Sequence, residues 1–102
     1  MIIKIGPIDY EFSYSKSDQD DMGCISYRKA TITVDSTDMP PQVQKRVLCH
    51  EIAHAMLLSI AVGDNDEAAA EALGLQLLMF IQNNQELFKL LAKDDNEVKI
   101  DV

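Results

Sequence analysis

With 102 residues, 47% apolar and 25% charged, the chain has the content of one globular domain, large enough to bury a modest core without staples. Seventeen acidic residues against nine basic ones leave a net charge of −8. That balance repels a phosphate backbone, and no Lys/Arg cluster offsets it, so direct nucleic-acid binding is not expected; the acidic surface serves solubility first and a basic protein partner or substrate segment second.

Ile2–Ile5 has strand character and ends at a Gly6-Pro7 turn. This opening is too short for a signal peptide and lacks a cleavage site, and the apolar stretch 55–62 falls far short of membrane length, so a cytoplasmic location without membrane contact is expected. In 8–14, Ile8, Tyr10, Phe12 and Tyr14 alternate with Asp9, Glu11 and Ser13, which predicts a strand with one buried face. Residues 15–23 are polar and acidic and predict a loop. Segments 24–27 and 30–34 flank Arg28-Lys29 as a hairpin, with Ile32 and Val34 on one face and Thr31 and Thr33 on the other. Residues 1–35 thus predict a small antiparallel β-sheet. Cys24 in the hairpin and Cys49 further on are expected to stay reduced and buried.

The chain turns over 35–39, and Pro40-Pro41 marks the first turn of a helix, where a missing N–H costs nothing. This helix extends to about Ser59, with Val43, Val47, Leu48, Ile52, Met56 and Leu57 at helical spacing. Gly63-Asp64-Asn65-Asp66 interrupts the pattern, Asp66 is a suitable N-cap, and a second helix continues to about Asn83. A short third helix, 85–92, precedes a loose tail, 93–102. The expectation is one α+β domain over 1–102: the sheet in 1–35, then a helical hairpin and a short third helix in 40–92.

The first helix carries His50, Glu51 and His54 as His-Glu-Ile-Ala-His, and the chain has no other histidine. Positions i and i+4 of a helix lie about 40° apart around the axis, so both imidazoles can reach one ion while Glu51 stands at its flank. Zinc hydrolases use this spacing, with two histidines holding the metal and the glutamate drawing a proton from water that the metal activates. The competing reading is an amphipathic helix with two incidental histidines. A catalytic zinc keeps three protein ligands, and with no histidine left the third must be a carboxylate or a thiolate. Cys49 is rotated about 100° from His50 and predicts core. Glu67 and Glu71 on the second helix remain. An antiparallel hairpin brings positions near 70 alongside His54, which favours Glu71, and Gly74 on the same face lets the helices close up. A solvated charge is the alternative reading of Glu71, and Glu67 is the alternative ligand.

Ala30-Thr31-Ile32-Thr33-Val34 at the end of the hairpin, Pro41-Gln42-Val43-Gln44-Lys45, the run from Val47 through His50-Glu51-Ile52-Ala53-His54 to Leu57, and Glu71-Ala72-Leu73-Gly74 followed by Leu77-Leu78 together resemble the ImmA/IrrE family of metallopeptidases, in particular its short phage-type members. The likeness covers most of residues 1–90. It implies a minimal zincin-like domain, gluzincin-like in its ligands: zinc held by His50, His54 and a downstream glutamate that begins a Glu-x-x-Ala-Asn pattern. Residues 71–75 correspond to that pattern, with Gly74 for alanine and Leu75 for asparagine; starting it at Glu67 instead places Ala70 and Glu71 at its last two positions. The resemblance implies a zinc-dependent metallopeptidase acting on a protein or peptide, with a helix-turn-helix repressor of a phage or mobile element as the first substrate to try. Glu51 would be the base. An oxyanion donor is also needed, with Tyr10, Tyr14, Tyr27 and Arg28 as candidates, although sheet packing is the better account of each tyrosine. Two rivals stand beside this expectation: a non-catalytic, zinc-containing protein-binding module, and a structural helical hairpin without metal.

Overall fold

The computed structural model describes residues 1–15, 22–35, 38–59, 67–94 and 96. It is an α+β arrangement in the order β1 (Ile2–Ile5), β2 (Ile8–Ser15), β3 (Gly23–Ser26), β4 (Thr31–Asp35), α1 (Pro41–Ser59), α2 (Glu67–Asn83) and α3 (Gln85–Leu91). The expected Asp66 cap and the Gly63 to Asp66 break lie outside the described residues, as do most of 15–23 and most of the tail.

The sheet is mixed, which corrects the expected antiparallel one. Its strand order is β1-β2-β4-β3. Gly6 takes φ 58° in the turn of the β1–β2 hairpin, where Ile5 pairs with Ile8. The β3–β4 hairpin is also antiparallel, with Ile25 opposite Ile32, but β4 runs parallel to β2, with Phe12 opposite Ile32 and Tyr14 opposite Val34. Burial explains the insertion. Ile32 and Val34 are fully enclosed, whereas β3 offers only Gly-Cys-Ile-Ser, so the hairpin docks with its apolar strand inward and leaves β3 at the edge. A parallel pair needs a crossover, and residues 16–30, β3 included, supply that length.

Two expectations about burial need correcting. Tyr10 and Phe12 are buried as the alternation predicts, but Ile8 and Tyr14 toward the ends of β2 are exposed. Cys24 is exposed on the edge strand, while Cys49 is buried and its thiol pKa is raised by desolvation.

Helix α1 starts where the prolines predict. The Pro40 carbonyl accepts the N–H groups of Val43 at 2.9 Å and Gln44 at 3.0 Å, and the Gln44 side chain donates to the Met39 carbonyl at 2.8 Å. Val47 and Ala55 join Ile5, Tyr10, Phe12, Ile32 and Val34 in the core, with Val43, Leu48, Ile52 and Met56 packed against it, so one face of α1 lies on the sheet. Its other face meets α2 through small residues: Cys49 and Ala53 are buried on α1, Ala70 and Gly74 on α2. No helix among the described residues is long and apolar enough to cross a membrane.

Gly74 sets the approach of the two helices. A Cβ placed there would lie 2.8 Å from His50 Cα, 2.9 Å from His50 N and 3.0 Å from the Cys49 carbonyl carbon, all backbone atoms that cannot rotate away. The helices would have to separate. Gly74→Ala is therefore expected to destabilise the fold by about 1–3 kcal/mol despite alanine's better helix propensity, a fall of roughly 5–20 °C in Tm. Thermal unfolding checks this, and an unchanged or raised Tm would show that the helices are not packed this closely.

Candidate metal centre

Positions 46, 50 and 54 of α1 follow one another by single turns, as do positions 67 and 71 of α2. The two rows face each other as a ladder. Glu67 reaches His54 and His50: its Oε1 lies 2.7 Å from His54 Nε2 and its Oε2 lies 3.0 Å from His50 Nε2. One turn along, Glu71 reaches His50 and Arg46: its Oε2 lies 2.6 Å from His50 Nδ1, and its Oε1 accepts Arg46 Nη2–H at 2.8 Å and Nε–H at 3.2 Å.

The two carboxylates therefore meet different atoms of His50. The Glu71 carboxyl pKa is lowered, chiefly by its hydrogen bond with His50 and then by that with Arg46; a carboxylate accepts, so the tautomer this contact favours has the proton on Nδ1. In the neutral ring this leaves a lone pair on Nε2. That lone pair points into a space shared with His54 Nε2 at 3.1 Å and the Glu67 carboxylate. Three electron-rich donors facing one another repel unless a proton or a cation sits among them. His50, His54 and Glu67 keep their ligand atoms within 4.8 Å of one another, the only such group among the described residues. Around a tetrahedral zinc with bonds of about 2.0–2.1 Å, neighbouring donors stand roughly 3.3 Å apart, so a dilation of a few tenths of an ångström would admit the ion. The donor set fits zinc.

The structure thus brings together His50, His54 and Glu67, and puts Glu71, the carboxylate favoured on sequence grounds, on the outer nitrogen of His50. The two differ by one helical turn, and a glutamate side chain can span a turn, so backbone proximity to His54 did not distinguish them. Arg46 was missed altogether. Its signal was its spacing: four residues before His50, it continues the histidine face and offers a cation to whichever carboxylate lies a turn beyond the metal ligand.

Glu51 is buried, with 8% of its surface exposed, and it lines both clefts beside the histidines. The larger cleft, about 660 Å³, is bounded by Met22, Val43, Arg46, Val47, His50 and the two glutamates; the smaller, about 330 Å³, reaches β3 and Tyr27 past His54 and Glu67. Gly23 of β3 closes over the carboxylate, since a Cβ there would stand 3.3 Å from Glu51 Oε1 and 2.6 Å from Val47 Cγ1. Of the other residues considered for this centre, Tyr10 is enclosed in the core, Tyr14 stacks edge-on against Phe12 and lines neither of these clefts, and Arg28 is exposed in the β3–β4 turn. Tyr27 alone of these four lines a cleft that holds the histidine-glutamate group. No family model, curated protein or solved structure matches the chain, so what this centre does rests on its own geometry.

Proposed function

We propose that the chain is a zinc-dependent peptidase, a minimal zincin-like domain of the ImmA/IrrE type, with His50, His54 and Glu67 as the ligands and Glu51 as the proton carrier. One observation carries this reading: the two motif imidazoles and an exposed carboxylate converge on a common point beside a buried glutamate, at the junction of two open clefts. Zinc bound there supplies a Lewis acid that polarises a carbonyl and brings the acidity of a water molecule to about neutral pH. The rest falls to the chain. Glu51, held between α1 and the backbone of Gly23, accepts a proton from the attacking water and returns it to the leaving amine. Tyr27, which lines the β3 side of the cleft, is the candidate to donate its hydroxyl proton to the developing oxyanion.

The substrate class proposed is a protein segment, with a helix-turn-helix repressor tried first. The free thiols of Cys24 and Cys49 fit action in a reducing cytoplasm. A second reading, a zinc-containing module that docks without turnover, is favoured by one feature: Met79, Phe80, Ile81, Leu87 and Leu91 of α2 and α3 are large apolar side chains left exposed.

The test has two readouts. Protein purified without chelator is expected to hold about one zinc per chain by elemental analysis, and His54→Ala to hold none. The zinc-loaded protein, incubated with a proteome-derived peptide library, should generate new termini by mass spectrometry. Background metal in the native protein rejects the site; full zinc with no new termini turns the assignment to the docking module.

A further inference from the structure

Resting on the zinc reading above, we infer that Arg46 is a positioning residue for the metal centre: by holding one oxygen of Glu71, it keeps the other on His50 Nδ1 and keeps Glu71 itself off the metal. Both Glu71 oxygens are engaged, Oε1 by two N–H groups of the guanidinium at 2.8 and 3.2 Å and Oε2 by the imidazole at 2.6 Å. The arginine's planar fork fixes the carboxylate in direction as well as distance, which a single point charge does less well. With Nδ1–H held, the ring cannot flip and its Nε2 lone pair stays aimed at His54 and Glu67. The clamp also decides between two carboxylates of equal reach. Glu67 has no arginine one turn up and is left for the ion, whereas Glu71, 46% exposed and otherwise free to rotate, is tied back.

Positioning and charge act on zinc affinity with opposite signs. Arg46 is a cation lining the same cleft as a cation site, so by Coulomb repulsion its removal should tighten zinc binding, by about two- to threefold once salt screening at this exposed position is included. Loss of an outer-shell orienting contact works the other way and typically costs about 10- to 100-fold in metal affinity. Positioning wins by magnitude.

The experiment is zinc affinity by chelator competition on the native protein, Arg46→Ala and Arg46→Lys, with the visible spectrum of each cobalt-loaded protein and thermal unfolding of each metal-free one. Arg46→Ala is expected to bind zinc about tenfold more weakly and to alter the cobalt spectrum, while its metal-free Tm stays close to native because an exposed ion pair contributes little to stability. Arg46→Lys, which keeps the charge and one donor, should regain most of the affinity. Equal or tighter zinc binding by a normally folded Arg46→Ala overturns the positioning role and leaves the metal site intact. A native protein that binds neither zinc nor cobalt overturns the metal reading itself.

Discussion

Replacing Glu67 with alanine is expected to remove tight zinc binding, whereas replacing Glu71 should only weaken it. Glu67 offers one oxygen to each histidine from the first turn of α2, and its side chain is 78% exposed, so its loss deletes a charged ligand without disturbing the core. Structural zinc sites gain about 10–16 kcal/mol from four ligands, so one ligand accounts for a few kcal/mol, or at least two decades in affinity. Glu71 touches the other face of His50, and its removal falls in the range of about 10- to 100-fold for an orienting partner. Chelator competition on Glu67→Ala and Glu71→Ala gives the order directly. A Glu71→Ala protein that binds more weakly than Glu67→Ala would restore Glu71 as the ligand and imply that α2 slides by a turn when metal enters.

Glu51→Gln is expected to abolish peptide cleavage while leaving zinc content unchanged. The amide has nearly the carboxylate's shape, so the close fit beside Gly23 survives, but it cannot accept a proton from water. General-base catalysis is worth about 10²–10⁴-fold, and library cleavage should fall by at least the lower figure. The docking alternative gives a different pattern, because capture of a partner would not depend on a proton acceptor. Undiminished cleavage by Glu51→Gln would remove Glu51 from the chemistry. Reduced zinc in that variant would instead show the glutamate to be part of the metal's surroundings.

The sequence carried the helical half of this fold well and the sheet less well, for a physical reason. Helix boundaries are local: Pro41 at the first turn and the apolar spacing through Met56 and Leu57 mark α1 with no knowledge of its neighbours. Strand pairing is not local. A hairpin signal around Arg28-Lys29 identifies β3 and β4 but not which of them faces β2, and that choice turned on Ile32 and Val34 needing complete burial. The candidate site divides the same way. His50, Glu51 and His54 share one helix and were legible from spacing alone, and Gly74 was legible as the place where α2 meets α1. Glu67 and Glu71 repeat the same spacing on a different helix, so the sequence contains both registers. Arg46 separates them only once the helices are set side by side.

Where a metal sits decides the roles of His50, His54, Glu67 and Glu71 most directly. A crystal of the zinc-loaded protein, measured on both sides of the zinc absorption edge, should show one anomalous peak about 2.0–2.1 Å from His50 Nε2 and His54 Nε2 and within about 2.2 Å of a Glu67 oxygen, with Glu71 still on His50 Nδ1 and Arg46 still on Glu71. A peak bonded to Glu71 instead of Glu67, or no peak between the two histidines, would contradict it.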